Sequence, residues 1–295
     1  MILTDSKKYT EKTVDQQVLL NKKQEELYPQ FFTSKVYRSD YIYDDMFPVM
    51  FITDYSPSSQ FDTLQKITDS TKGWNILCVA DRGRNFHGYK NRKWETMSGN
   101  LHLSMNISPR KTTPDLYKGL VILPAVAVCQ TIENILNIKP KIKWVNDILI
   151  ENKKVGGFLS KTQTEAGKII NAFTGIGLNI ETAPDLKNDK FVREATYLNN
   201  YYWDKIKIST VLRELINNYK KNYRTLLNDD YLSLFHEYKK RSIIIDKKIR
   251  IYEEKDLSYP VANGLVETID EDLNIILKNS AHKFNNGRIT IQDQF

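Results

Sequence analysis

KWVNDILIENKKVGGFL, residues 143–159, places an Asn-Asp pair and a Lys-x-Gly-Gly step inside what otherwise reads as a buried hairpin. One strand ends in Trp-Val-Asn-Asp, the apolar run Ile-Leu-Ile follows, and a polar turn Glu-Asn-Lys-Lys leads into the double glycine and another apolar run. An Asn-Asp pair is common in turns between strands, so the pair alone has a structural interpretation. The sequence therefore predicts a hairpin over residues 141–159 whose polar residues need a further explanation.

Strand and helix patterns alternate around this hairpin. Residues 101–108 put Leu, Leu, Met and Ile on one face and His, Ser, Asn and Ser on the other, which predicts a half-buried strand. A buried helix is predicted over residues 116–136, with Pro114 and Asp115 at its start and Pro140 beyond its end. Three other strands are predicted over residues 47–55, 74–81 and 168–180. A shorter helix is predicted over residues 61–68.

The C-terminal third changes character twice. Residues 205–241 predict two helices broken near 228–230, where Asp or Asn can cap the second helix. After residue 241 the pattern becomes short strands between polar turns, which is typical of a small antiparallel barrel. These predicted strands are residues 242–252, 264–269, 273–278 and 287–291. The predicted domains are an N-terminal arm or helix (1–45), a main α/β (α+β) domain (46–241) and a small β-barrel (242–295).

Composition excludes several classes of protein. The chain has 295 residues, of which 41% are apolar and 27% are charged, and its net charge of +7 is too diffuse to indicate nucleic-acid binding. The longest apolar run, residues 120–129, is far shorter than the roughly 20 residues that cross a bilayer. No secretory leader is recognisable, so a cytoplasmic protein is expected. Cys78 and Cys129 lie in apolar runs without zinc-ligand spacing, and we expect buried structural thiols.

A second unusual region is ADRGRNFHGYKNRKW, residues 80–94, which is rich in Arg, Lys and Gly and lies between two predicted strands. Loops of this composition can wrap phosphates, because glycine lets the backbone approach closely while the cations neutralise the anion. Trp94 offers an aromatic face for a base or for packing. Taken alone, the loop is better explained as a solvated basic loop that ends in a core tryptophan.

Together the two regions resemble the biotin protein ligases, from about residue 47 to the C-terminus. The family has a Gly-Arg-rich loop ending in Trp, then Lys-Trp-Pro-Asn-Asp, Lys-x-x-Gly and Gly-x-Gly-x-Asn. This chain has RKW, KWVND, KVGGFL and GIGLNI in that order. The resemblance implies a mixed-sheet biotin/lipoate ligase-like catalytic domain followed by a small SH3-like β-barrel. It also implies a reaction in which ATP, with Mg²⁺, activates biotin to biotinyl-5'-AMP.

In the second step of that reaction the biotinyl group is transferred to a lysine of a biotin carboxyl carrier domain. This domain is part of a biotin-dependent carboxylase. By the resemblance, Lys154 contacts the biotin carboxylate and phosphate oxygens, Asp147 supports adenylation and indirectly Mg-ATP, and Asn146 contacts the nucleotide. Further residues assigned to substrate or nucleotide binding are Ser58, Ser59, Gln60, Arg84, His87, Gly88, Tyr89, Arg92, Trp94, Lys143, Gly156, Gly157, Gly175, Gly177 and Asn179. The glycines either keep side chains out of the ligand cavity or mark close strand contacts.

Two motifs depart from the family pattern. Counting back from Trp94, His87-Gly88-Tyr89 falls where the family has Arg-Gly-Arg, whereas a true Arg-Gly-Arg occurs at residues 82–84 and needs an insertion. The gapless alignment is preferred, and it implies a leakier adenylate because Tyr89 replaces a guanidinium. The biotin-binding Ser-Thr-Asn turn is also altered, with Ser58 and Ser59 as the best matches.

These departures keep two alternatives open beside a biotin protein ligase. One is a lipoate or octanoate ligase or transferase of the same superfamily, which would need an elongated apolar tunnel. The other is a non-catalytic relative that binds an adenylate or a carrier domain. The residues before 46 hold no convincing helix-turn-helix, so we expect no DNA binding, and we expect no membrane association and either a monomer or a homodimer.

Overall fold

The computed structural model describes residues 2–4, 31, 37–39, 45–71, 73–186, 189–192 and 194–292. The weakly amphipathic piece predicted near residues 14–27 lies outside these residues. Two short strands, β1 (Ile2–Thr4) and β2 (Tyr37–Ser39), belong to the segment that we predicted to be an arm. β1 pairs with β2 and, in parallel, with the first strand of the main domain. The division at residues 45 and 241 stays a prediction.

A nine-stranded mixed sheet forms the centre of the molecule, in the order β2-β1-β3-β4-β5-β9-β8-β7-β6. Its remaining strands are β3 (Val49–Ser56), β4 (Ile76–Gly83), β5 (Leu101–Ile107), β6 (Lys141–Lys143), β7 (Asp147–Ile150), β8 (Lys153–Glu165) and β9 (Lys168–Leu178). β1, β3 and β4 run parallel to one another. Along the rest of the sheet the neighbouring strands are antiparallel, in the pairs β4–β5, β5–β9, β9–β8, β8–β7 and β7–β6. This mixed sheet confirms the predicted fold class.

Helices cover the two faces of the sheet unequally. The helices are α1 (Gln60–Lys66), α2 (Leu116–Leu136), α3 (Ile208–Leu227) and α4 (Tyr231–Lys239). α2 is buried between the sheet and α3 and α4, as its apolar composition requires. Gly119 lets α2 and α3 approach closely, because a Cβ there would collide with Leu226. On the opposite face, α1 packs Phe61 and Leu64 onto the sheet.

Helix α2 has the length and apolar composition of a membrane-spanning helix. Within the described ranges it is the only helix long and apolar enough to cross a membrane, and most of it is buried inside the protein. A core helix passes the same test of length and composition, so the signal is weak. Both cysteines are buried, as predicted, and burial raises the pKa of each thiol.

Strand β5 differs from its prediction as a half-buried strand. All seven of its residues are buried, because α1 and the segment after β4 cover the face that carries His102, Ser104 and Asn106. Some of these buried polar atoms are hydrogen-bonded: the His102 ring donates to the Ala80 carbonyl at 3.2 Å, and the Asn106 amide donates to Asn171 at 3.1 Å. His102 Nε2 and Asn106 Oδ1 have no partner among the described residues. The prediction was wrong because alternation of apolar and polar residues shows only that one face of a strand is polar. It does not show whether that face contacts water or other parts of the protein.

The hairpin of residues 141–159 is a three-stranded meander, β6-β7-β8. Its second turn is Glu151-Asn152, and both residues have positive φ, as a two-residue hairpin turn of type I′ requires. Lys154 therefore lies within β8 rather than in the turn itself. The side chain of this residue is held by a paired strand, which is stiffer than a loop.

The C-terminal residues form a five-stranded antiparallel sheet, in the order β13-β12-β11-β10-β14. Its strands are β10 (Lys248–Tyr252), β11 (Ala262–Ile269), β12 (Ile275–Leu277), β13 (Lys283–Phe284) and β14 (Arg288–Ile291). The sheet fits an SH3-like barrel, although no closed barrel is found in the described part of the chain. The predicted strand over 242–252 was wrong in its first half, because residues 243–247 form turns.

The break between α3 and α4 gives a test of stability. The Asp230 side chain caps α4 by accepting a hydrogen bond from the Ser233 amide at 3.1 Å. Asp230→Ala should lower the free energy of unfolding by about 1 kcal/mol, because one terminal N–H loses its partner. Lys207 caps α3 without a side-chain hydrogen bond, so Lys207→Ala should change the free energy of unfolding by less than about 0.5 kcal/mol. Urea denaturation measures both, and equal effects would contradict the capping role.

Candidate active site

Small residues on neighbouring strands form the floor of a cavity on the α1 face of the sheet. Gly157 of β8 pairs with Gly177 of β9, and Gly175 of β9 pairs with Ser104 of β5, so all four lie on one face. A Cβ at Gly177 would collide with the ring of Trp94. Glycine is therefore required at Gly177 for the aromatic ring to lie against the backbone of the sheet.

The cavity has a volume of about 230 Å³ and changes character along its length. One end is apolar and lies under α1. The other end, near the β6–β7 turn, is lined by charged and amide side chains. Its apolar lining includes Phe61, Phe86, Trp94, Leu103, Phe158, Leu159 and Ile176, and its polar lining includes Ser59, Arg92, Asn146, Asp147, Lys154, Asn179, Asp189 and Arg288. Such a cavity suits a ligand with an apolar body and an anionic end.

An ion pair stands at the polar end. Lys154 Nζ lies 2.6 Å from Asp147 Oδ1, and both side chains are largely buried. Lys154 Nζ also lies 5.6 Å from the centre of the Trp94 ring, and Gly157 leaves room for the lysine chain. Burial alone would raise the pKa of Asp147, but the charges of Lys154 and Lys143 outweigh burial and lower it. Asp147 is therefore a carboxylate that holds Lys154 in place.

A second, smaller cavity of about 60 Å³ continues from this end. Lys143 lines it rather than the main cavity, and its ammonium donates to the Phe191 carbonyl. Burial lowers the pKa of Lys143 to about 8, although Asp147 counteracts it. Arg92 and Arg288 line both cavities, so four cationic side chains surround the junction.

The Arg- and Gly-rich loop folds over the main cavity. It is closed by hydrogen bonds from the Gly88 amide to the Arg92 carbonyl at 2.7 Å and from the Trp94 amide to the Phe86 carbonyl at 3.0 Å. His87, Gly88, Tyr89, Arg92 and Trp94 all line the cavity, which is the position that the gapless alignment gives them. Arg84 is exposed and lies outside the cavity wall.

The structure leaves several other predicted residues outside the main cavity. Ser58 Oγ shares a hydrogen bond with Thr63 Oγ1 at 3.1 Å, while its neighbour Ser59 caps α1 and lines the cavity. Gln60 is fully buried, and its amide has no partner among the described residues. Gly156 packs against the carbonyl of Gly177, which makes it a close strand contact.

Sequence reasoning missed other residues of the site. Arg288 and Asp189 come from segments that carry no local motif, and His102 was assigned only to the polar face of a strand. Asp62, in the first turn of α1, contacts the loop through His87. No local motif marks Asp62, so its contact with a residue 25 positions away could not be identified from the sequence.

A metal ion has little protein support in this site. Over the described part of the chain, no three His, Cys, Asp or Glu side chains are grouped as metal ligands. Asp147 is one carboxylate, already paired with Lys154. This arrangement fits Mg²⁺ carried by nucleotide phosphates, since Mg²⁺ commonly uses only one or two protein carboxylates beside phosphate oxygens and water.

Comparison with known proteins supports the predicted resemblance. Residues 56–179 match the model of the Biotin/lipoate A/B protein ligase family. The chain is 31% identical to the bifunctional ligase/repressor BirA of Bacillus subtilis over 178 residues, which are 59% of this chain and 54% of that protein. It is 26% identical to BirA of Escherichia coli over 104 residues, or 35% of this chain and 32% of that protein. The chain thus spans about half, or less, of the length of these relatives.

Solved structures share the fold. The biotin protein ligase of Aquifex aeolicus in complex with biotin and ATP superposes with a TM-score of 0.67 at 18% identity, covering 83% of this chain and 99% of that chain. The biotin protein ligase of Leishmania major in complex with biotin gives a TM-score of 0.53 at 18% identity, over 77% and 93% of the two chains. The resemblance deduced from the motifs is confirmed at the level of fold.

The contact between the loop and α1 predicts a pH dependence. His87 Nε2 lies 3.0 Å from Asp62, and Nδ1 lies 3.1 Å from the Gly88 carbonyl. Burial would lower the pKa of His87, but the bonds to Asp62 and Gly88 outweigh it, so the pKa is raised above 6.5. The stabilisation by this pair is therefore complete below pH 6.5 and is lost as the pH rises through the folded-state pKa.

An NMR titration of the histidine ring protons measures this effect. We expect the midpoint of His87 to lie above 6.5 and to fall in Asp62→Asn. His102 is an internal control, because burial lowers its pKa to about 4 and its resonance should not titrate between pH 5.5 and 8. A His87 midpoint that is unchanged in Asp62→Asn would refute the ion pair.

Proposed function

We propose that this chain is an ATP-dependent biotin protein ligase, which forms biotinyl-5'-AMP and transfers the biotinyl group to a lysine of a biotin carboxyl carrier domain. The observation that carries the proposal is the Asp147–Lys154 pair at the polar end of a glycine-floored cavity. The family match over residues 56–179 and the similar structure of a biotin protein ligase in complex with biotin and ATP support it.

The shape of the cavity agrees with these substrates. A ring system can lie on the glycine floor between Phe61 and Trp94, with the hydroxyl of Ser59 available for a polar ring substituent. A carboxylate at the end of an aliphatic chain then reaches the cationic end. The nucleotide phosphates fit the region around Arg92, Lys143 and Arg288.

In the first step a carboxylate oxygen of biotin attacks the α-phosphorus of ATP, and the bond to the pyrophosphate oxygen breaks. Two anions must approach each other, and charge accumulates on the phosphate oxygens. The Lys154 ammonium lies where it can contact both, and Asp147 fixes its position at 2.6 Å. A preorganised cation of this kind stabilises the transition state without having to reorient during the reaction.

In the second step a neutral lysine amine of the acceptor attacks the acyl carbon of the adenylate, and AMP leaves as the amide bond forms. The attacking nitrogen loses one proton as the amide forms, and the phosphate of the departing AMP accepts it. Asp147 remains a carboxylate because of its cationic neighbours, so it can accept a hydrogen bond from the incoming amine and orient it. Mg²⁺ bound to the phosphates would neutralise further charge, and Asp147 is a carboxylate that can support it.

The two alternatives have less support. A lipoate or octanoate transferase is not favoured, because the similar structures described above are named as biotin protein ligases. A non-catalytic relative would not need the buried Asp147–Lys154 pair, because binding alone does not require an ammonium beside the reacting atoms. We further propose that the protein acts in the cytoplasm, without DNA or membrane as partner, as a monomer or a homodimer.

Pyrophosphate exchange tests the substrate. Purified protein with Mg-ATP should incorporate labelled pyrophosphate into ATP when biotin is added, because adenylate formation is reversible. Lipoate and octanoate in place of biotin are the comparison, and each should support much less exchange. Exchange with lipoate but not with biotin would identify lipoate as the substrate in place of biotin. No exchange with any of the three acids would favour the non-catalytic alternative.

Two neighbouring lysines give a matched test of the reactive group. Lys154→Ala should reduce adenylate formation by about 100-fold or more, since loss of such a donor costs on the order of 3 kcal/mol in the transition state. Lys153→Ala is the control, because Lys153 is exposed and pairs with Glu194 outside the cavity. Single-turnover formation of the adenylate measures both variants, and equal rates in the two would remove Lys154 from the mechanism.

A further inference from the structure

A short turn carries the acidic residue of the site. Residues 144–146 connect β6 to β7, and Asp147 is the first residue after this turn. Three residue pairs join β6 to β7, and β6 is the last strand in the order of the sheet. The strand pairing alone therefore gives the turn little support, and contacts from outside the nine-stranded sheet decide where Asp147 lies.

Two hydrogen bonds anchor this turn to parts of the protein outside that sheet. The hydroxyl of Tyr238, on α4, donates to the Val145 carbonyl at 3.1 Å. The indole Nε1 of Trp144 donates at 2.8 Å to the carbonyl of Leu273, in the turn between β11 and β12. Tyr238 is completely buried, and burial raises the pKa of its phenol well above the ordinary value, so the hydroxyl stays a neutral donor.

The same turn is also bonded to β8. The Asn146 side-chain amide donates to the Phe158 carbonyl at 2.9 Å, and the Phe158 backbone amide donates to the Asn146 carbonyl at 3.2 Å. Asp147 follows directly in the chain and pairs with Lys154 of β8. A continuous series of contacts thus leads from Tyr238 through the turn to the ion pair.

Tyr238 itself lies away from the substrates. Its side chain belongs to the apolar core, against which Trp144 and Val145 pack, and Tyr238 is not among the described residues that line either cavity. A substrate in either cavity therefore does not contact this hydroxyl. If the hydroxyl is removed, the Val145 carbonyl loses a hydrogen bond beside apolar side chains, and this loss favours a shifted turn.

We propose that the Tyr238 hydroxyl is a positioning group for the Asp147–Lys154 pair, a role that rests on the function proposed above. It holds the 144–146 turn where the Asp147 carboxylate lies 2.6 Å from Lys154 Nζ. Adenylate formation needs this ammonium at a fixed point, because a misplacement of about 1 Å can lower a rate on the order of 100-fold. The biotin ring lies at the apolar end of the cavity, so its affinity does not depend on Tyr238.

Tyr238→Phe removes the hydroxyl and keeps the ring. Single-turnover formation of biotinyl-5'-AMP should slow about tenfold, because the ion pair is no longer held in its reactive position. The Kd of biotin, measured by isothermal titration calorimetry, should stay within about twofold of the unmodified protein, because the apolar end of the cavity is unchanged. A rate loss without a loss of affinity is the signature of a positioning role.

Tyr231→Phe is the matched control. Tyr231 lies on the same helix, is also buried, and donates to a backbone carbonyl, that of Glu271, at 2.7 Å. This bond does not involve the 144–146 turn. Both variants should therefore lower the midpoint of urea denaturation, but Tyr231→Phe should leave the rate of adenylate formation within about twofold of the unmodified protein.

A double-mutant cycle shows whether Tyr238 acts through the ion pair. In a Lys154→Ala background there is no ammonium to position, so the added Tyr238→Phe change should alter the rate by less than about twofold. A rate loss that persists undiminished in this background would mark a structural role and overturn the inference. Equal rate losses in Tyr238→Phe and Tyr231→Phe would overturn it too.

Crystal structures of the two tyrosine variants test the positioning without any activity. Tyr238→Phe should displace the Val145 carbonyl and lengthen the distance from Lys154 Nζ to Asp147 Oδ1 beyond 2.6 Å, whereas Tyr231→Phe should keep it. An unchanged distance in Tyr238→Phe would overturn the inference even if the protein is a ligase. A lengthened distance in a protein that forms no adenylate with biotin would refute the proposed function and still support the positioning of the pair.

Discussion

The ion pair between Asp147 and Lys154 is the interaction on which the rest of the site depends. Lys154 lies on β8 and Asp147 begins β7, and their distance of 2.6 Å is set by the pairing of these strands. Gly157 leaves the space that the lysine chain occupies, and Trp94 covers it. A buried ammonium without this carboxylate would be costly, so the pair keeps a reactive cation charged at a fixed point.

The same sheet that fixes this pair also creates the cavity. Glycines on β8 and β9 leave part of one face of the sheet without side chains, which makes room for the cavity. On the other face, α2 and its neighbours form a continuous apolar core. A rigid scaffold behind the floor keeps the distances of the site constant. The basic loop, residues 80–94, and the β13–β14 turn approach the cavity from outside and meet through Lys90 and Asn286.

The sequence predicted the features that depend on local patterns. The bounds of α2 and the break between α3 and α4 were deduced from prolines, caps and apolar composition, which act over a few residues. Features that depend on distant segments could not be predicted in this way. β5 is buried on both faces because α1 covers it, and Arg288 reaches the site because β14 returns to the main domain. The altered loop motif was aligned only by counting from Trp94, and the cavity wall now contains the aligned residues His87, Gly88 and Tyr89.

A structure of the protein crystallised with biotin and Mg-ATP tests the central claim most directly. The account predicts biotinyl-5'-AMP in the main cavity, its ring over Gly175 and Gly177 and its phosphate within hydrogen-bonding distance, about 3 Å, of Lys154 Nζ. It also predicts that Lys154 Nζ stays paired with Asp147 while it donates to the phosphate oxygens. An adenylate bound elsewhere, or one whose phosphate lies beyond hydrogen-bonding distance of Lys154 Nζ, would contradict it.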